Sequence, residues 1–215
     1  MIYELRTYEA VPGKIGALQA HLITACKMFP RHGLPIVGAW MDEIGRSARI
    51  TYMWSAENEA ARNAGLASFA ASAEWRAYAK DEQAREGQIT SRVTNRLLVP
   101  TPYSPTPAIS GKVQELREYQ AVPGKLPNLN ARFADHTLRF FTKHGVGLVG
   151  LWTEIYGTSN RLMYMTSFDS LAAREKNWGT FTADPDWHKV RAETEAAGPL
   201  VEFIENRLLR LLPVS

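Results

Sequence analysis

Hydrophobic and polar positions near the start of the chain follow two periods in turn. Residues 2–8 alternate with a period of two, which predicts a β-strand that ends at Val11-Pro12-Gly13. From residue 14 to residue 29 apolar residues recur every three or four positions, which predicts a helix with one apolar face. Pro30 and Gly33 end this helix, because proline lacks an amide donor and glycine tolerates a positive φ.

Two short apolar and aromatic segments follow, at 36–42 and 49–55, and the Gly-Arg-Ser sequence between them suits a hairpin turn. A second helix is predicted over residues 58–86, with an interruption near Ser72. A closing strand is predicted over residues 91–99. The order of elements is therefore strand, helix, strand, strand, helix, strand.

The same pattern occurs twice. Residues 4–14 and 115–125 are identical at nine of eleven positions, at an offset of 111. Further matches are His32 with His144, Trp40 with Trp152, Trp75 with Trp187, and the Asn-Arg-Leu-Leu segments that begin at Asn95 and Asn206. The offset is 112 at the histidines, so the first helix of the second repeat is one residue longer. In the second repeat Asp184 precedes Pro185, which predicts a separate helix starting there.

A repeat of about 110 residues has the length of a domain, since solenoid repeats usually span about 20 to 50 residues. We therefore predict an α+β protein with two tandem ferredoxin-like βαββαβ domains, at residues 1–103 and 112–215. Residues 104–111 form a proline-rich linker that we expect to be extended. Each sheet would expose one apolar face, so we expect the two sheets to pack together as in a dimeric α+β barrel.

Composition excludes several classes of protein. The 215 residues carry a formal net charge of +3 without a run of like charges, so we expect no nucleic-acid partner. The single cysteine, Cys26, cannot form an internal disulfide, and no stretch approaches 18 apolar residues. The first predicted strand begins at residue 2 and leaves no room for a leader peptide, so we expect a cytoplasmic protein without a transmembrane segment. Pairing into a homodimer is a further expectation.

Several short motifs together resemble the NIPSNAP family. They are Glu-Leu-Arg-x-Tyr with Pro-Gly-Lys, then His-Gly, Gly-x-Trp and Asn-Arg-Leu-Leu in both repeats, and Pro-Thr-Pro-Tyr-Ser-Pro after the first. The resemblance implies the dimeric α+β barrel fold, a group that also includes cofactor-free monooxygenases, haem-degrading proteins and small isomerases. It implies no particular reaction, because NIPSNAP proteins have none established, and animal members are discussed as interaction proteins.

The first candidate site is a polar triplet on the first strand of each repeat. Alternation places Glu4, Arg6 and Tyr8 on one strand face, and Glu115, Arg117 and Tyr119 on the matching face. If the leucines between them pack on the helices, the triplets point into the space between the sheets. There an arginine fork could bind a carboxylate or an enolate oxygen. The alternative is a structural ion pair within the sheet.

Aromatic and asparagine residues provide further candidates. Trp40 and Trp152 share a strand face with Gly38 and Gly150, which predicts either a flat ring-binding cavity or a filled core. Tyr52 and Tyr164 are expected to line that cavity. In the segments that begin at Asn95 and Asn206, either the Asn or the Arg is expected to enter the space between the sheets, where Glu4 or Glu115 could satisfy it.

Two histidines are candidate general bases. His136 falls on the apolar face of its helix and His144 follows that helix, so either could remove a proton while Arg117 holds an enolate. The alternatives are a hydrogen-bonded core histidine for His136 and a turn residue for His144. The sequence contains no metal, phosphate or nucleophile motif and no haem-attachment motif, so we expect no metal and no cofactor.

The leading hypothesis is a protein that binds a small aromatic or anionic molecule between its sheets, through Arg6, Tyr8, Trp40, Arg117, Tyr119 and Trp152. The first alternative is a cofactor-independent monooxygenase or isomerase that uses His136 or His144. The second is a protein-interaction module without catalysis, which predicts an exposed apolar patch on the helices and a filled interior.

Overall fold

The structure, a computed structural model, describes residues 1–214. The chain forms two compact units. The first contains residues 1–99 and the segment that begins at Arg210, and the second contains residues 100–209. Within each unit the order of elements matches the strand, helix, strand, strand, helix, strand pattern of the sequence.

The first unit has a four-stranded antiparallel sheet in the order β4-β1-β3-β2. Its elements are β1 (Ile2–Ala10), α1 (Ile15–Met28), a 3-10 turn (Phe29–His32), β2 (Ile36–Ile44), β3 (Arg49–Ala56), α2 (Glu59–Ala71), α3 (Ala73–Glu86) and β4 (Thr90–Pro100). The predicted break near Ser72 is confirmed: the Ser72 hydroxyl accepts the Trp75 amide at 3.3 Å and caps α3.

The second unit repeats this arrangement, with the strand order β8-β5-β7-β6. Its elements are β5 (Val113–Ala121), α4 (Leu126–Arg132), a π-helical turn (Phe133–Thr137), α5 (Leu138–Lys143), β6 (Gly147–Tyr156), β7 (Arg161–Phe168), α6 (Leu171–Thr182), α7 (Pro185–Thr194) and β8 (Val201–Leu211). Asp184 caps α7 as predicted, since its carboxylate accepts the Asp186 amide at 2.9 Å.

One apolar cluster fills each unit on the helix side of its sheet. In the first unit, Leu18 and Leu22 of α1 pack with Tyr52 and Trp54 of β3. In the second unit the corresponding cluster includes Tyr164 with phenylalanine and leucine side chains of the long helix. Burial of apolar surface contributes roughly 25 cal/mol per Å², so these clusters fix the helices on one face of each sheet.

The π-helical turn accommodates the extra residue of the second repeat. The helical segment from α4 to α5 contains one residue more than its counterpart, and the turn at Phe133–Thr137 widens the helix at that point. The Thr137 hydroxyl donates a hydrogen bond to the Arg132 carbonyl at 3.2 Å within this turn. Such turns commonly lie next to functional sites, because they reorient the side chains on either side.

The predicted fold class is confirmed: two tandem ferredoxin-like repeats of mixed helix and sheet. Residues 101–112 contain neither helix nor strand, as predicted for the linker segment. The segment is not a free connection, however, because the Ser104 hydroxyl accepts the Leu151 amide at 2.9 Å and the Tyr103 hydroxyl donates to Asn130 at 2.5 Å. Within the described part of the chain, no helix has both the length and the apolar character needed to cross a bilayer.

Candidate ligand-binding site

The polar triplet of β5 lies on the helix-facing side of its sheet. Glu115 pairs with Arg174 of α6, and the Arg117 guanidinium carbon lies 4.2 Å from the centre of the Trp178 ring on the same helix. Leu116, between them on the strand, occupies the opposite face. The expectation that the triplets point between two sheets was therefore wrong. Arg117 lies on the helix side of the sheet, and Leu116 lies on the opposite face.

Arg117 is held by three hydrogen bonds. Its Nε donates to the Tyr164 hydroxyl at 2.9 Å, one Nη donates to Glu115 at 2.5 Å, and the other donates to the Tyr119 hydroxyl at 3.3 Å. Burial by itself would lower the pKa of Arg117, but the adjacent oxygens of Tyr164, Tyr119 and Glu115 raise that pKa above its usual value. Arg117 is therefore a fixed positive charge at any pH at which the protein folds.

Glu115 is the anionic centre of the cluster and is fully buried. It accepts hydrogen bonds from Arg174 at 2.8 and 2.9 Å and from the Asn206 amide at 2.9 Å. Burial would raise the pKa of Glu115, but the hydrogen bonds from Arg174 and the charge of Arg117 outweigh it, so the pKa lies below its usual value. Asn206 contacts Glu115, but on the helix side of the sheet and not between the sheets as expected from the sequence.

The hydroxyl of Tyr119 is oriented as a donor. The Tyr164 hydroxyl donates to Tyr119 at 2.9 Å, and Arg117 donates to the same oxygen. Both lone pairs of the Tyr119 oxygen are thus used, which leaves its own proton for a further acceptor. Burial raises the pKa of Tyr164 well above its usual value, so Tyr164 remains a neutral donor within this relay.

A cavity of about 410 Å³ opens beside this network, between the sheet and the helices of the second unit. That volume lies within the range of small-molecule sites, about 300–1,000 Å³. Its walls combine aromatic rings with three arginines, two glutamates and several hydroxyl groups. The lining includes Arg117, Tyr119, Arg132, Phe133, Thr137, Phe141, Tyr164, Trp178, Phe181, Trp187, Arg191, Glu195 and residues 201–204.

The first unit has the same network with a different aromatic partner. Arg6 donates to Tyr8 at 3.1 Å and to Glu4 at 3.4 Å, and its guanidinium carbon lies 5.4 Å from the centre of the Trp54 ring. Trp54 comes from β3 and also donates its indole N–H to Glu4 at 3.3 Å. The Trp54 position is Thr166 in the second repeat, whereas the Trp178 position is Leu66 in the first. The arginine network therefore contacts an indole from a strand in the first repeat and an indole from a helix in the second.

Trp40 and Trp152 lie on the sheet face opposite these networks. Trp152 pairs with Met163 on β7, whereas Tyr164 faces the helices. Both tryptophans are fully buried, and a side-chain carbon added at Gly150 would lie 2.6 Å from the Trp152 ring. The indole of Trp152 thus occupies the space beside Gly150. Tyr52 and Tyr164 do not line a cavity with Trp40 and Trp152, because they point to the other face.

Comparison with known proteins identifies the family. The NIPSNAP family model matches residues 3–105 and again residues 114–215. The chain belongs to the NIPSNAP family. A search of curated proteins found no match.

Solved structures similar to this NIPSNAP protein share its fold across the whole chain. A candidate monooxygenase from Lactobacillus acidophilus is 10% identical, with a TM-score of 0.66, over 98% of this chain and 93% of that one. A candidate monooxygenase from Fusobacterium nucleatum is 10% identical, with a TM-score of 0.67, over 99% and 92%. An anthrone oxidase-like protein is 10% identical, with a TM-score of 0.62, over 99% and 91%. At this identity the likeness concerns the fold alone.

The structure does not bring the two candidate histidines to the cavity. The His144 ring contacts Asp184 at 2.7 Å and shapes the turn before β6, which agrees with the turn alternative. Lys143 and His144 lower the pKa of Asp184 by hydrogen bonding to its carboxylate. His136 lines a separate surface depression with Arg139 and Lys189. Among residues 1–214 neither histidine is part of the cavity lining, so this geometry gives no support to either as a base beside Arg117.

Sequence reasoning did not select four residues of this site: Arg132, Arg174, Trp178 and Trp187. Arg174 could have been found, because it matches Arg62 at an offset of 112 and both bind the glutamate of their first strand. Trp187 likewise recurs as Trp75. Arg132 and Trp178 have no such signal, since their counterparts are His21 and Leu66. In the described residues no group of three metal-ligating side chains is brought together.

Proposed function

We propose that this NIPSNAP protein binds a small aromatic anion in the cavity of its second repeat. The observation that carries the proposal is the pair of donors at the cavity wall: the Tyr119 O–H and the Arg117 guanidinium. Two of the five N–H donors of Arg117 remain after its three hydrogen bonds within the described residues. An anionic oxygen next to Tyr119 could accept from both side chains.

The charge of the network favours an anion. Glu115 carries one negative charge, and Arg117 and Arg174 carry one positive charge each, so the cluster has a net charge of +1, with Arg174 23% exposed. A buried positive charge is costly unless it is paired. An anionic ligand would neutralise it, whereas a neutral ligand of the same shape would not.

The aromatic walls favour a ring. The cavity includes the indoles of Trp178 and Trp187 and the rings of Phe133, Phe141 and Tyr164. Aromatic side chains bind rings in offset or edge-to-face arrangements that contribute about 0.5–1.5 kcal/mol beyond area burial. The proposed site differs from the sequence hypothesis in its location, since it lies between the sheet and the helices of one repeat.

Calorimetric titration with 2-naphthoate and with neutral 2-naphthamide tests this function. We expect 2-naphthoate to bind at least 10-fold more tightly than the amide, and Arg117→Gln to remove that preference. Arg6→Gln, the matched substitution in the first repeat, is the control and should leave binding of 2-naphthoate unchanged. Equal affinities for the acid and the amide, or equal effects of the two substitutions, would refute the proposal.

A second candidate function is removal of a proton next to a carbonyl group. Here the C–H electron pair would move onto the carbonyl oxygen, which Tyr119 and Arg117 would hold as an enolate, and the proton would pass to a carboxylate in the lining, such as Glu202. The structural neighbours described as candidate monooxygenases and as anthrone oxidase-like are consistent with carbanion chemistry of this kind. The presence of oxyanion donors and a carboxylate in one cavity supports this candidate.

Deuterium exchange at the methylene group of phenylpyruvate, followed by NMR in D₂O, tests the second candidate. We expect exchange at least 10-fold faster than in buffer, lost in Arg117→Gln and retained in Arg6→Gln. Exchange at the buffer rate with wild-type protein would exclude the reaction for this substrate class, while binding of 2-naphthoate would be unaffected.

The interaction-module hypothesis predicts an apolar patch on the helices. Among the described residues, the exposed large apolar side chains lie mainly on strands and hairpins rather than on helices. They are Met1, Ile44, Val93, Ile155, Tyr156, Leu171, Phe203 and Ile204, of which Leu171 begins a helix. This distribution favours ligand binding over that hypothesis. Self-association into a homodimer stays a prediction, which native mass spectrometry checks.

A further inference from the structure

A second arginine-tryptophan pair lines the same cavity. Arg132 is the last residue of α4, directly before the π-helical turn, and its guanidinium carbon lies 5.9 Å from the centre of the Trp187 ring on α7. The side chain of Arg132 is 5% exposed. Arg117 lies against Trp178 in the same way, so the cavity contains two buried guanidinium groups, each beside an indole.

The Nε of Arg132 is a buried donor without an acceptor. One Nη of Arg132 donates to Glu195 at 2.7 Å, but the Nε–H has no hydrogen-bond partner among the described residues. Buried polar groups are nearly always satisfied, and an exception in a cavity wall indicates a place for a ligand or a water molecule. Arg132 lines the cavity, but its Nε has almost no exposed surface, so a carboxylate would have to displace the side chains that cover the Nε before binding this edge of the guanidinium.

The charges around Arg132 are unbalanced in the same sense as those around Arg117. Glu195 accepts from Arg132 and also from the Nε of Arg191 at 3.3 Å, so one carboxylate serves two guanidinium groups. All three residues line the cavity. Arg132, Arg191 and Glu195 together carry a net charge of +1, although the Arg191 side chain is 65% exposed and Glu202 lines the same cavity.

The first repeat has the same framework without the second arginine. His21 occupies the position of Arg132, its ring lies 5.0 Å from the Trp75 ring, and it contacts Glu82. A histidine bound to its glutamate leaves no fork of donors. The second repeat therefore has an arginine at this position and one additional residue in the same helical segment.

We propose that Arg132, together with Arg191, forms a second anion subsite, and that the natural ligand is an aromatic compound with two acidic groups. One group would bind Arg117 and Tyr119, and the other would bind Arg132 in competition with Glu195. The proposal rests on the function proposed above and specifies its ligand class. A dianion would place one acidic group at each of the two buried guanidinium groups, Arg117 and Arg132, whereas a monoanion would bind only one of them.

Calorimetric titration with 2-naphthoate and with its 1,4- and 2,6-dicarboxylate analogues tests the subsite. We expect at least one dicarboxylate to bind 10-fold or more tightly than 2-naphthoate. Arg132→Gln should reduce that dicarboxylate's affinity at least 10-fold and that of 2-naphthoate less than 3-fold, whereas Arg117→Gln should weaken both. His21→Gln, at the matched position of the first repeat, is the control and should change neither.

Glu195→Gln separates a binding role from a structural one. Removal of the competing carboxylate should increase the affinity for the dicarboxylate several-fold, whereas a purely structural ion pair predicts no increase. If Arg132→Gln fails to fold, Arg132→Lys keeps the charge beside Glu195 and should still reduce dicarboxylate affinity, because lysine lacks the fork.

Failure of the second subsite and failure of the proposed function give different results in these titrations. Binding of 2-naphthoate without any preference for a dicarboxylate, or a preference that survives both Arg132 substitutions, would overturn the second subsite and leave the proposed function standing. Absence of binding for all three compounds would overturn both.

Discussion

The Arg117 guanidinium lies 4.2 Å from the centre of the Trp178 ring, the shortest cation-to-ring distance in either triplet network. In the first repeat the corresponding Arg6 lies 5.4 Å from Trp54, an indole that comes from the sheet instead of a helix. Trp54 packs in the apolar cluster of the first unit, whereas Trp178 lines the cavity of the second. The same arginine network therefore contacts an indole from a strand in one repeat and from a helix in the other.

Replacement of Trp178 by leucine, the residue at the matched position of the first repeat, removes the cation-π contact and one wall of the cavity. Such contacts contribute roughly 0.5–2 kcal/mol. We expect Trp178→Leu to weaken binding of 2-naphthoate by about 2- to 30-fold, which is that energy range converted to affinity. Calorimetry gives the change, and Leu66→Ala is the control. Unchanged affinity would remove Trp178 from the site.

Deletion of Ala134 should convert the π-helical turn to regular α-helix. Ala134 is exposed, and the first repeat folds without the extra residue, so we expect the fold to survive the deletion. The helix on either side should keep its register, because the turn accommodates the extra residue, but the turn side chains that line the cavity, Phe133 and Thr137, would move. Binding of 2-naphthoate should then be lost while the circular dichroism spectrum stays the same. Retained binding would show that the turn does not position the site.

Glu115 should make the free energy of unfolding depend on pH in the acid range. Its pKa is lowered in the folded protein, so the unfolded chain binds more protons in acid. The stabilisation is present above the unfolded pKa, about 4.3, and decreases as pH falls through that value toward the folded pKa. Urea unfolding between pH 7 and pH 3 measures this. Glu115→Gln should lower stability by about 3–5 kcal/mol at pH 7 and reduce the slope below pH 5. A slope identical to that of the wild type would assign the acid dependence to other carboxylates.

Asp184 and Ser72 occupy matched positions and cap α7 and α3. Ser72→Ala should lower the free energy of unfolding by about 1 kcal/mol, as expected for the loss of an N-cap. Asp184→Ala should lower the melting temperature further than Ser72→Ala does, because Asp184 also accepts hydrogen bonds from Lys143 and His144 at 2.7 Å each. Thermal unfolding of the two variants provides the comparison. Equal shifts would show that the contacts with Lys143 and His144 add nothing to the cap.

The elements were predictable because their signals are local. The break at Ser72 and the start of α7 at Pro185 follow from capping residues, and both are present in the structure. The duplication also identified the Glu115, Arg117 and Tyr119 triplet, whose members contact one another as neighbours on one strand face. Alternation along a strand fixes which side chains share a face.

The location of the site was not predictable, because strand alternation does not say which face meets the helices. The leucines were assigned to the helix side, but the arginines lie there, since Glu115 binds Arg174 from α6. Pairing of Arg132 with Trp187 and Glu195 depends on the packing of α4 against α7 and has no signature in sequence spacing. His136 and His144 are residues that can act as bases, but neither of them is in the lining of the cavity.

The sequence by itself determined the duplicated βαββαβ plan, the family and the residues of the strand triplets, because periodicity, caps and repeated motifs act over a few residues. Tertiary structure alone decided that the network of the second repeat faces a cavity. That outcome depends on where two indoles and one extra helical residue lie in space. Such contacts join residues that are distant along the chain, here Arg117 with Trp178 and Arg132 with Glu195.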